Sequence, residues 1–122
     1  MRSFALLAVA AFGATTTVKK ICVTNSAGFV LHWTAKDVLT DNQGADSGKY
    51  PIDQTRCQDL TAIPDIQDGH PILPTIHAVL GVSHDGDKAV VFNSTSDESA
   101  TYTCTGATLT YSCKLNGGEV LV

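Results

Sequence analysis

Ala100-Thr101-Tyr102-Thr103-Cys104-Thr105-Gly106-Ala107-Thr108-Leu109-Thr110-Tyr111-Ser112-Cys113-Lys114-Leu115 alternates, residue by residue, between two kinds of side chain. With a turn at Gly106-Ala107, Tyr102, Cys104, Leu109, Tyr111, Cys113 and Leu115 fall on one face, and Thr101, Thr103, Thr108, Thr110, Ser112 and Lys114 fall on the other. A period of two with one apolar and one hydroxylated face marks an antiparallel hairpin with one side in water. In that register Cys104 lies opposite Leu109, and Cys113 lies about four residues or ~13 Å further along. A disulfide needs Cα atoms within ~7 Å. Either the hairpin tip is wider than Gly106-Ala107 and Cys104 joins Cys113, or each cysteine reaches the facing sheet.

The same chemistry recurs along the chain: short runs of β-branched and aromatic residues cut by Gly, Asn, Asp and Pro. Strands are predicted at about 18–24, 29–35, 48–53, 55–60, 75–82, 88–93, 99–105, 108–115 and 119–122. Asn25-Ser26-Ala27-Gly28 is turn chemistry between the first two. Phe29, Leu31 and Trp33 share one face of the second, and Val30, His32 and Thr34 the other. Residues 36–48 are polar and read as a surface loop. Pro64, Pro71 and Pro74 exclude a central strand from 61–74, which is expected to cross irregularly between sheets. His84-Asp85-Gly86-Asp87 separates two apolar runs as a turn. The expected fold is all-β, a small antiparallel β-sandwich of Ig-like or Greek-key type with about seven to nine short strands. Two disulfides among Cys22, Cys57, Cys104 and Cys113 would staple it. Cys22 is out of phase with Ile21 and Val23 and so points away from the core, which favours pairing 22 with 57 and 104 with 113.

Residues 1–17 read as a secretory leader: Arg2 precedes an apolar run from Phe4 to Phe12, and small residues at Ala11 and Gly13 suit cleavage near 13/14. That run is shorter than the ~20 apolar residues a bilayer span requires. The remaining 18–122 would form one domain, secreted into an oxidising compartment where cysteines pair. Loss of Arg2 leaves seven Lys and Arg against twelve Asp and Glu, and the lysines are scattered, so a nucleic-acid partner is not expected. No further stretch approaches transmembrane length. Asn93-Ser94-Thr95 is an N-glycosylation acceptor consistent with that compartment.

Catalytic signatures are missing from the chain's linear pattern. No GxSxG elbow, CxxC pair or glycine-rich phosphate cradle occurs. His32 and His77 sit inside apolar strands, and neither they nor His70 and His84 have a second ligand at metal-binding spacing, so neither a metal nor a cofactor is expected. Paired carboxylates for glycoside cleavage have no assignable members, since Glu98 and Glu119 are the only glutamates and the aspartates crowd in turns. A non-enzymatic binding module is therefore expected, recognising an extracellular glycan or protein through loops at 36–48, 61–74 and 83–88. Trp33, Tyr50, His84, Asp85 and Asp87 are the candidate contact residues. A structural subunit of an extracellular coat or filament, assembling through strand edges, is the alternative. A membrane-surface-active sandwich is the third.

Overall fold

The computed structural model describes residues 16–117. The expected leader, apart from its last two residues, and the expected closing strand at 119–122 lie outside the described residues. Among the described residues nine strands follow one another: β1 (Thr17–Val18), β2 (Lys20–Asn25), β3 (Leu31–Asp37), β4 (Gln54–Asp59), β5 (Pro71–Ala78), β6 (Ser83–Asp85), β7 (Val90–Phe92), β8 (Ser99–Thr105) and β9 (Ser112–Leu115). A 3₁₀ turn, Leu60–Ala62, is capped by Asp59, whose carboxylate accepts from the Thr61 N–H. One sheet has the order β1-β7-β5-β3, with β6 also on β5; the other has the order β4-β2-β8-β9. Together they form a small β-sandwich with two disulfides.

Alternation places the core. Leu31, Trp33 and Ala35 of β3, Ile72 and Ile76 of β5, Ile21 and Val23 of β2, and Ala100, Tyr102 and Cys104 of β8 all face inward. On β3, β5 and β8 the intervening neighbours turn to the outer faces, as a period of two requires. The sheets are mixed, because the first strand changes sheets. Thr17–Val18 runs parallel to β7, and after Lys19 the chain continues as β2, parallel to β8. Lys19 holds the corner, its N–H donating to Glu98 and its carbonyl accepting from Leu60.

Three expectations are corrected, the first being the turn at His84-Asp85-Gly86-Asp87: His84 and Asp85 belong to β6, and the turn that joins β5 to β6 is 79–82. Residues 48–53 are not a strand; Tyr50 alone bridges Leu31. The whole segment 42–50 instead lies along the free edge of β3, with Asp37, Ala35, Trp33 and Leu31 bonding to Asn42, Gly44, Ser47 and Tyr50 in turn. Its spacing is too irregular for a ladder, and Gly48, at φ 79°, breaks the extended conformation. Residues 71–74 belong to β5, an interior strand, despite Pro71 and Pro74. Pro71 opens the strand, where a missing N–H costs least. Pro74 stands opposite Ala35, whose carbonyl bonds away from it to Gly44, so β3 asks Pro74 for no donor. On its other side β7 pairs only 71 and 72 and β6 only 75–77, and Pro74 sits in the seam.

The last hairpin has the wider tip. Cys104 lies directly opposite Cys113, and the loop between β8 and β9 runs from Gly106 to Tyr111. Gly106 turns it at φ 118°, where an added Cβ would stand 2.8 Å from the Tyr111 Cα. The Cys104–Cys113 disulfide is buried in the core. Cys22–Cys57 joins directly opposed residues of β2 and β4 on the outer face, with Cys57 exposed.

Candidate functional site

Two regions of the surface stand out. The first is the end of the sandwich where β2, β5 and β8 run out. Three loops meet there: Ser26-Ala27-Gly28-Phe29-Val30, Val79-Leu80-Gly81-Val82 and Gly106-Ala107-Thr108-Leu109-Thr110-Tyr111. None contains a charged residue. Of the seven large apolar side chains exposed among the described residues, five are here: Val30, Leu80, Val82, Leu109 and, on the adjoining turn, Ile52. Leu80 is 98 % exposed and Leu109 67 %. Leu80 also adopts φ 62°, the left-handed region that a leucine enters only at a cost of ~1–2 kcal/mol.

The loops are tied to one another. Gly28 donates to the Gly106 carbonyl at 3.1 Å, and Val79 to Val30 at 3.0 Å. Gly81 packs so closely on the tip of the last hairpin that a Cβ there would collide with the Thr108 Cγ2. Tyr111 is the central post: its ring lies 4.8 Å from both Phe29, at a tilt, and His84, edge to face, and its hydroxyl donates to the carbonyl of Val82 at 2.6 Å. Burial raises the Tyr111 phenol above its ordinary value, so it stays a neutral donor. Asn25, fully buried, donates to the carbonyls of Phe29 and Tyr50 and accepts from the Ala27 N–H. An end cross-tied in this way presents its leucines with little ordering left to do on contact.

The opposite end has the reverse character. Asp37, Asp41, Asp59, Asp65, Asp68, Asp97 and Glu98 gather around the crossover and the strand starts. Val38 and Leu39, the other two exposed apolar residues, lie there among them. A cleft of about 240 Å³ beside the Lys19 corner is lined by Lys19, Lys20, Asp59, Asp97 and Glu98. Its two cations already face three carboxylates, which leaves no net field for an anionic ligand. Asn93 lies half-buried in the turn leading to β8, its side-chain carbonyl accepting from the N–H and hydroxyl of Thr95.

The second region is the outer face of the sheet containing β3, β5 and β6. One row crosses it: Asp46, His32, His77, Ser83. His32 and His77 are directly opposed, and their rings stack at 4.9 Å with 23° between planes. His32 Nδ1 donates to Asp46 at 2.6 Å, and His77 Nδ1 lies 2.7 Å from the Ser83 hydroxyl. Despite the cost of its burial, Asp46 is held below the ordinary carboxylate range by His32 and by the Gly48 N–H. Further along, Lys36 pairs with Asp85 at 2.9 Å and Thr75 donates to the same carboxylate. The hydroxyl and the carboxylate bind different imidazoles, so the row is not a Ser–His–Asp relay.

The residues singled out in the sequence scatter. Trp33 and Tyr50 are buried in the core and cannot meet a surface ligand. The inward phase of β3 carries Trp33, while the Tyr50 hydroxyl donates to the Val23 carbonyl and the Arg56 guanidinium covers its ring. His84 leans on Tyr111 at the apolar end, Asp85 belongs to the histidine face, and Asp87 fastens β9 by accepting from the Leu115 N–H. His70 donates to fully buried Asp37 at 2.6 Å, clamping the crossover to the end of β3. Of the loops expected to recognise a partner, 36–48 serves mostly as edge cover. The segments that form the apolar end are uncharged turns carrying leucine, a departure from ordinary turn composition that is legible in the sequence.

Among the described residues no group of three His, Cys, Asp or Glu could hold a metal ion, and no helix is long and apolar enough to cross a membrane. No family model matches the chain, and no curated protein or solved structure matches it either.

Proposed function

We propose that the protein is a secreted, non-enzymatic binding module that docks its uncharged loop end on an apolar patch of an extracellular partner protein. The observation that carries this is Leu80, a leucine held in an unfavourable backbone conformation and left 98 % exposed beside Leu109 and Val82. Strain combined with exposure is uncommon away from functional surfaces. Glycan recognition is less well supported, since Trp33 and Tyr50, the aromatic platforms it would use, are internal. Edge-to-edge assembly is also disfavoured: β3 is covered by 42–50, β1 has two residues, β4 carries Arg56 and Asp59, and on β9 Asp87 already engages the Cys113 carbonyl and the Leu115 N–H.

The test is binding of fluorescently labelled protein to cells of the producing species, before and after surface proteolysis. Protease-sensitive binding that falls at least tenfold in Leu80→Asp/Leu109→Asp, with folding intact by circular dichroism, supports the reading. Unchanged binding by the variant refutes it. Protease-resistant binding, with flotation on phosphatidylcholine vesicles, would replace the protein partner by a membrane surface, which the separate leucine tips also suit.

A further inference from the structure

We infer that the Cys22–Cys57 disulfide is a site of reversible thiol exchange, at which an external thiolate attacks Cys57 and is held there as a mixed disulfide. The two halves of this bond are not equivalent. Cys57 is exposed, whereas Cys22 is only 8 % exposed. They are directly opposed across β4 and β2, and β4 is the last strand of its sheet. A thiolate approaches a disulfide sulfur from the side away from the sulfur it displaces, so access to that side decides which one is attacked. Beyond Cys57 that side opens past the free edge of β4. Beyond Cys22 it is taken up by β8, with Thr101 the direct neighbour of Cys22 in the ladder.

In the exchange a new S–S bond forms between the external thiol and Cys57 while the Cys22–Cys57 bond breaks, and the electron pair leaves on Cys22 as a thiolate. One disulfide replaces another, so no oxidant or reductant is consumed. The Cys22 thiolate reverses the step by attacking Cys57 and expelling the bound thiol. The fold tolerates the open form because no residue of β4 belongs to the core cluster, and the backbone ladder between β4 and β2 does not depend on the bond. Cys104–Cys113 also reaches an edge strand, β9, but both of its cysteines are buried in the core and closed to an incoming thiol. The exchange site lies on the outer face of β2 and β4, and it stands whether or not the loop end docks on a partner.

The test is incubation of the folded, disulfide-bonded protein with reduced glutathione at mildly alkaline pH, quenched at early times with N-ethylmaleimide and mapped by peptide mass. Glutathione should be found on Cys57 and maleimide on Cys22, at least tenfold over the reverse arrangement, with Cys104–Cys113 intact and circular dichroism unchanged. As a second measurement, oxidised glutathione should modify the free Cys57 of Cys22→Ser at least tenfold faster than the free Cys22 of Cys57→Ser, melting curves having verified that both variants fold. Glutathione on neither cysteine of the native protein, on Cys22 as often as on Cys57, or first on Cys104 or Cys113 overturns the inference.

Discussion

Leu80→Asn should make this protein more stable while removing part of its apolar end. Leucine at φ 62° suffers the clash between Cβ and the backbone that closes the left-handed region to most L-residues, worth ~1–2 kcal/mol. Asparagine tolerates that region well and avoids the extra chain entropy that glycine would bring. Because the side chain is 98 % exposed, the replacement forfeits almost no buried apolar area. The expected net gain is about 1 kcal/mol, or a rise in Tm of roughly 4–8 °C for a domain near this size. Urea titration and thermal melts of parent and variant measure it, with Leu109→Asn as the comparison, exposed but not at positive φ and so close to neutral. A loss of 1 kcal/mol or more in Leu80→Asn would refute the reasoning, since it would mean that Leu80 is packed against something in solution.

Asp37, Asp46 and Asp59 each have a carboxyl held below its ordinary value, Asp37 and Asp46 against the cost of burial. A depressed folded value means that their stabilisation is present above the unfolded carboxylate range near 4 and is lost as pH falls below it. Asp37→Asn should cost about 2 kcal/mol at pH 7 through the weakened bond to His70 and flatten the decline between pH 5 and 2, read from urea midpoints across pH. Under native conditions a phosphine reductant with alkylation should label Cys22 and exposed Cys57 well before buried Cys104 and Cys113, as read by peptide mass. Loss of that outer bond, which joins residues 35 apart, should cost roughly 4 kcal/mol by the chain-entropy relation. Gly106→Ala should destabilise by about 2 kcal/mol, because φ 118° is closed to alanine and its Cβ would meet the backbone of Thr110 and Tyr111; an unchanged Tm would contradict the tip geometry.

Strand-forming residues in period two reveal themselves locally, and most strands, the inward phase of Trp33 and the outward phase of Cys22 follow from that alone. Proline is also a local signal, but its consequence is not local. Pro74 is compatible with an interior strand only because Ala35 bonds elsewhere and two short neighbours leave a seam beside it. Likewise residues 42–47 look like an ordinary polar loop, and 48–50 like the start of a strand, until β3 is seen to need a partner along its edge.

By itself the sequence determined an all-β chain with two kinds of face, four cysteines and no linear catalytic signature, since alternation and composition act within a few residues of one another. Only the tertiary structure decided which surfaces could matter. His32 and His77 are 45 positions apart, and a slip of one residue in the pairing of β3 and β5 would turn them to different faces. Leu80 and Leu109 likewise belong to separate turns, and they form one apolar end because β5 and β8, in different sheets, finish at the same end of the sandwich. Contact across sheets depends on register and strand order, which are set by the packing of the whole core and are not encoded in any single stretch of the chain.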